Sequence, residues 1–103
     1  MTYADAITAA LERIISLAAG RSVKDLTENR VLLRAIERYW VLAGNAAKAQ
    51  AAGIDVGMEP WSSLAGIRDA LAHHRIDEVD PELLHRASTV EINEVVSAVR
   101  SAI

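Results

Sequence analysis

The sequence predicts an all-α protein, a small antiparallel helical bundle of four to five helices. Three observations lead there. Apolar residues recur at intervals of three and four along most of the chain, capping signatures precede the periodic stretches, and no segment alternates apolar and polar residues as a half-buried strand does. The 103 residues, 51% of them hydrophobic, supply a core for one domain over residues 1–103, with no composition shift inside it. A domain of this size leaves much of its surface exposed, which makes an oligomer interface an economical place to bury more of it.

The first helix is expected from Tyr3 to Ala19, because Thr2 and Asp5 form a capping box, Ile7, Leu11, Ile14 and Ala18 form one stripe, and Gly20 ends it. Ser22 and Asp25 repeat the capping pattern over a short turn. A long helix follows from Glu28 to Ala51, with Leu32, Ile36, Tyr39, Trp40, Ala43 and Ala47 facing inward. Gly53, Gly57 and Pro60 mark a loop. Pro60 then opens a third helix, striped by Leu64, Ile67 and Leu71 and ending near His73 or His74. The acidic stretch Arg75 to Asp80 reads as a turn, and Asp80-Pro81 starts a short fourth helix. Ser88 with Glu91 reads as the capping box of a last helix, in which Ile92, Val95, Val96 and Val99 keep helical spacing despite the strand preference of valine.

Composition narrows the functional classes. A net charge of -3 opposes non-specific binding of nucleic acid by the whole surface, while leaving room for a local basic groove. With no cysteine, neither disulfides nor thiolate chemistry contributes, and a reducing compartment is the default. The longest uncharged runs fall far short of the ~20 apolar residues of a membrane span. Met1 to Ala10 carries Asp5 and no basic leader, so it does not read as a signal peptide, and a soluble cytoplasmic protein is expected.

The richest chemistry lies in Arg68-Asp69-Ala70-Leu71-Ala72-His73-His74-Arg75. It combines a cation able to grip phosphate with an imidazole able to move a proton. Asp69 and His73, four apart, share a helix face, so the carboxylate is placed to fix the imidazole tautomer. Arg68 and His73 stand roughly 140° apart on an ideal helix, and only the long arginine side chain lets them converge. A helix end carrying ordinary surface charge is the alternative for such a cluster. On the long helix, Arg30, Arg34 and Arg38 form a ridge continued by Asn45 and Lys48, suited to an RNA backbone; a solvated face is the ordinary alternative. A metal site at His73, His74, Asp77 and Asp80 is not expected, since adjacent histidines point about 100° apart and no second histidine follows four residues on. Nucleophile-elbow and phosphate-loop patterns are missing, and Tyr39, Trp40 and Trp61 fall at packing positions.

The motif and its surroundings resemble the HepT-like branch of the HEPN superfamily. The resemblance rests on the Arg68-to-His73 spacing of an Arg-x4-6-His motif, on Pro60-Trp61 before it and Ile76-Asp77 after it, and on the upstream run Arg34-Ala35-Ile36-Glu37-Arg38-Tyr39 leading to Leu42-Ala43-Gly44-Asn45-Ala46-Ala47-Lys48. Two positions depart from the pattern. Arg75 stands where the family usually has tyrosine, and Asn45 stands where a Gly-Glu-Ala pattern is common.

The resemblance implies a HEPN-like fold and a toxin ribonuclease of a toxin–antitoxin pair, cleaving RNA at a homodimer cleft without a metal or other cofactor. In it Arg68, His73 and Asp69 are the expected catalytic group: His73 moves a proton, Arg68 stabilises phosphoryl charge, and Asp69 orients one of them. Arg75, His74, Arg38 and Arg34 are the expected substrate-binding group. The implied partner is a minimal nucleotidyltransferase antitoxin. The competing expectation is a non-catalytic helical module that retains the fold for dimerisation or for binding a nucleotidyltransferase.

Overall fold

The computed structural model describes residues 2–51, 64–68 and 80–102, and these are all-helical, with no strand among them. In chain order they form α1 (Tyr3–Ala18), α2 (Val23–Glu28), α3 (Arg30–Ala51), a helical segment α4 over residues 64–68, α5 (Pro81–Arg86), a π-helical turn (Ala87–Glu91) and α6 (Ile92–Ala102).

The helix starts follow their capping chemistry. Thr2 and Asp5 exchange side-chain and backbone hydrogen bonds of 3.0 and 3.1 Å, and Ser22 and Asp25 do the same at 2.8 and 3.1 Å. Each carboxylate therefore sits below its ordinary range, held mainly by the backbone N–H of the cap residue. After α1 the chain turns through Gly20, whose φ of +71° lies in the left-handed region that glycine enters at no steric cost. The second box opens a short helix of six residues, and Asn29, through Oδ1, accepts the Leu32 N–H at 3.1 Å to start α3. The predicted start at Glu28 thus moves to Arg30, because Glu28 completes α2.

The long helices α1 and α3 pack along each other, with α6 and the π turn against α1 and α2 against both α3 and α5. One core joins Ile7, Leu11 and Ile14 of α1 to Ile36, Trp40, Ala43 and Ala47 of α3, and takes in Leu26, Leu64, Leu84, Ile92 and Val99. Each large aliphatic side chain removed from water contributes about 1.5–3 kcal/mol. The inward stripes predicted for α1 and α3 are buried, except that Tyr39 is half-buried at the edge.

One expectation is corrected at the last helix. Ser88 caps nothing: α5 continues through the π turn into α6, and the Ser88 hydroxyl is buried, accepting the indole N–H of Trp40 at 2.9 Å. The Ser88/Glu91 pair matches a capping box in sequence, but a buried tryptophan needs an acceptor more than a continuous helix needs a cap. Leu84, Ser88 and Ile92 are spaced by four, which overshoots a 3.6-residue turn. The widened turn, with Ile92 N–H donating to the Ala87 carbonyl, absorbs the overshoot and keeps all three facing the core.

Candidate functional site

Of the residues singled out in the sequence, Arg68 lies on α4, half-buried against α3. Its backbone is brought there by a close crossing. A Cβ added at Gly44 would overlap the Cβ of Arg68 and stand 2.8 Å from both the Arg68 Cγ and the Leu64 carbonyl oxygen, so α4 rests directly on the α3 backbone at this glycine. Leu64 is buried in the core one turn earlier and anchors the segment.

The next residue along α3 completes the contact. Asn45 presents its amide oxygen to the Nε–H of Arg68 at 2.7 Å. This bond ties the guanidinium of one helix to the side chain of another across the interface that Gly44 opens. Asn45 is exposed, and it also stands on the rim of a groove of about 490 Å³ between α1 and α3. Farther along that groove Arg13 lies over the Tyr39 ring, 5.9 Å from its centre, and the Tyr39 hydroxyl beside it raises the guanidinium pKa.

The arginines expected to bind substrate, Arg34 and Arg38, are exposed on α3. On an ideal helix they fall within roughly 20° of Asn45, so the three occupy one polar face, with Arg38 about 10 Å from Asn45 along the axis. Glu37 behaves differently. It sits closer to the Gly44 side of α3, half-buried, and its Oε2 is buried with no hydrogen-bond partner. Burial raises its pKa, and the nearby Arg34 offsets only part of that. A solvated face is the ordinary alternative for the arginine ridge, and Glu37 beside that ridge carries one desolvated carboxyl oxygen.

Asp69, His73, His74 and Arg75 lie outside the described residues, as do Trp61 and Asp77. Among the described residues, no helix is long and apolar enough to cross a membrane. His85 is half-buried, and its Nε2 donates to the Arg21 carbonyl oxygen at 2.7 Å, tying α5 to the turn after α1.

Two residues of this site escaped sequence reasoning in their roles: Gly44 as the crossing point and Asn45 as the acceptor for Arg68. A glycine in the interior of a 22-residue helix was the available signal, since glycine there costs stability unless another backbone approaches. Among known families, the sequence model of one described as "Ribonuclease HepT-like" matches residues 7–102. No curated protein and no solved structure matches the chain.

Proposed function

We propose that this chain, which belongs to the HepT-like ribonuclease family, is the toxin of a toxin–antitoxin pair and cleaves RNA without a metal ion at a cleft between two copies of itself. The observation that carries the reading is the family match over nearly the whole chain, together with an Arg68 held on a defined bearing by Asn45.

The chemistry follows from the residue types. His73 in its neutral form takes the proton of a ribose 2′-hydroxyl, the 2′-oxygen bonds to the adjacent phosphorus, and the bond from phosphorus to the 5′-oxygen breaks. A proton returned to that oxygen completes the step, leaving a cyclic phosphate and a 5′-hydroxyl. Arg68 stabilises the charge that builds on the non-bridging oxygens, and Asp69 orients the imidazole. Arg34 and Arg38, on the face of α3 that also carries Asn45, extend positive charge along the path of an RNA backbone. Arg75 and His74, two and one residues after His73 in the sequence, add further donors. A two-fold axis near the end of the helix bearing the motif brings two such sets together.

The partner in this reading is a minimal nucleotidyltransferase antitoxin. Arg75 at the position usually held by tyrosine favours one alternative, a non-catalytic module that keeps the fold and binds the same partner. Incubation of the purified protein with single-stranded RNA, with and without a chelator, separates the two. Cleavage indifferent to chelation supports the ribonuclease, and intact RNA under both conditions supports the module.

A further inference from the structure

We infer that Asn45 is a positioning residue for Arg68, fixing the direction in which its guanidinium meets a phosphate; this deepens the ribonuclease reading and rests on it. The inference stands on two independent contacts. The Nε–H of Arg68 donates to the Asn45 amide oxygen at 2.7 Å, and the backbone crossing at Gly44 seats the Arg68 Cβ and Cγ against α3 in the adjoining position.

An arginine side chain has four rotatable bonds and loses about 2 kcal/mol of rotamer freedom when held. The Gly44 crossing restrains the near end of that chain. The Asn45 bond restrains the far end, because an acceptor at Nε fixes the plane of the guanidinium as well as its position. Asparagine has two rotatable bonds and springs here from the interior of a 22-residue helix, so it is the stiffer partner.

The choice of Nε carries a chemical consequence. A guanidinium grips an oxyanion with two donors either along the edge that contains Nε or through its two terminal Nη groups. With Nε given to Asn45, the edge that contains Nε is engaged, and the orientation of the guanidinium plane is set from α3. Asn45 also supplies an acceptor without a negative charge, so it orients Arg68 without adding repulsion toward phosphate. A carboxylate at this position provides the same acceptor together with that repulsion.

The test combines a spectroscopic and a kinetic readout on the full chain. In ¹⁵N spectra of arginine side chains, with the Arg68 Nε–H identified by its loss in Arg68→Lys, the wild-type signal is expected to be protected from solvent exchange. It is expected to lose protection in Asn45→Leu, which keeps the size and removes the acceptor, and to keep it in Asn45→Asp. With a mixed-sequence single-stranded RNA carrying a fluorophore and quencher, Asn45→Leu is expected to lower kcat by about tenfold to a hundredfold with KM little changed. Asn45→Asp is expected to raise KM through its added charge. In an Arg68→Lys background, which has no Nε, Asn45→Leu should have no further effect. An Arg68 Nε–H that exchanges freely in the wild type, or is unchanged by Asn45→Leu, overturns the inference whatever the activity. So does wild-type kcat in folded Asn45→Leu, or full additivity with Arg68→Lys. A wild type that leaves RNA intact instead defeats the ribonuclease reading, and the exchange measurement still decides whether Asn45 positions Arg68.

Discussion

The Nε–H of Arg68 and the amide oxygen of Asn45 meet at 2.7 Å across the crossing of α4 and α3, one residue beyond the glycine that lets the two backbones touch. The motif arginine is thus built into the helix interface on one side, and its placement depends on residues of α3 that lie outside the Arg-x4-6-His motif itself.

Gly44→Ala tests the crossing. The added methyl collides with the Arg68 side chain and the Leu64 backbone, both part of a packed segment, so α4 must shift. Overpacking of this kind costs typically 1–3 kcal/mol. Urea denaturation should show that loss, and activity under folding conditions should fall with it because Arg68 is displaced. An alanine variant as stable and active as the wild type contradicts the close approach.

The pairing of Trp40 with Ser88 makes a separate stability prediction. Both groups are buried, so Ser88→Ala leaves an indole N–H without its acceptor, at a cost of about 1–3 kcal/mol. Trp40→Phe relieves that donor while removing volume, and the double variant should cost less than the sum of the two. Thermal melts of the three variants check this, and strict additivity counts against the bond.

Much of the fold was legible because local and global signals agree along α1 and α3: the boxes at Thr2/Asp5 and Ser22/Asp25 form as written, and the stripe Ile7, Leu11, Ile14, Ala18 is the buried one. Ser88 was misread because its local pattern is that of a cap, whereas its bond is made to Trp40, 48 residues away. No spacing rule reports such a pair. At the candidate site Arg68 was legible as a motif residue and Asn45 as a departure from pattern, but their contact depends on how α4 crosses α3. Glu37 lies beside the arginine ridge, for which a solvated face is the alternative, and only packing reveals that one of its oxygens is buried.

Glu37 gives the pH prediction. Burial raises its pKa in the folded protein above the unfolded value, despite Arg34 nearby. A group raised in this way contributes stability that is fully present below the unfolded pKa and lost as pH rises through the folded one. Glu37→Gln, which cannot ionise, should therefore gain in melting temperature relative to wild type between about pH 4 and neutrality. Asp5 and Asp25 act in the opposite sense, since their lowered pKa values contribute stability above the unfolded value that is lost as pH falls through the folded one. A melting-temperature difference between the Glu37 variant and wild type that does not change with pH contradicts the raised pKa.

Under the proposed toxin–antitoxin reading, Arg75 bears on how a nucleotidyltransferase partner would silence the protein. The resemblance implies that the family's tyrosine at this position receives nucleotidyl groups, and arginine has no hydroxyl to accept one. Neutralisation is expected through binding over the cleft or through modification elsewhere. Incubation with the nucleotidyltransferase and ATP, followed by peptide mass spectrometry, should show no adduct at Arg75; a nucleotidyl group mapped there reverses the expectation.

The most direct test of the central claim is RNA cleavage by purified wild type beside Arg68→Ala and His73→Ala, with helical content followed by circular dichroism. The account predicts cleavage by the wild type, loss of at least about a hundredfold in each variant, and unchanged helicity in both. Cleavage by either variant at the wild-type rate, or none by a folded wild type, contradicts it.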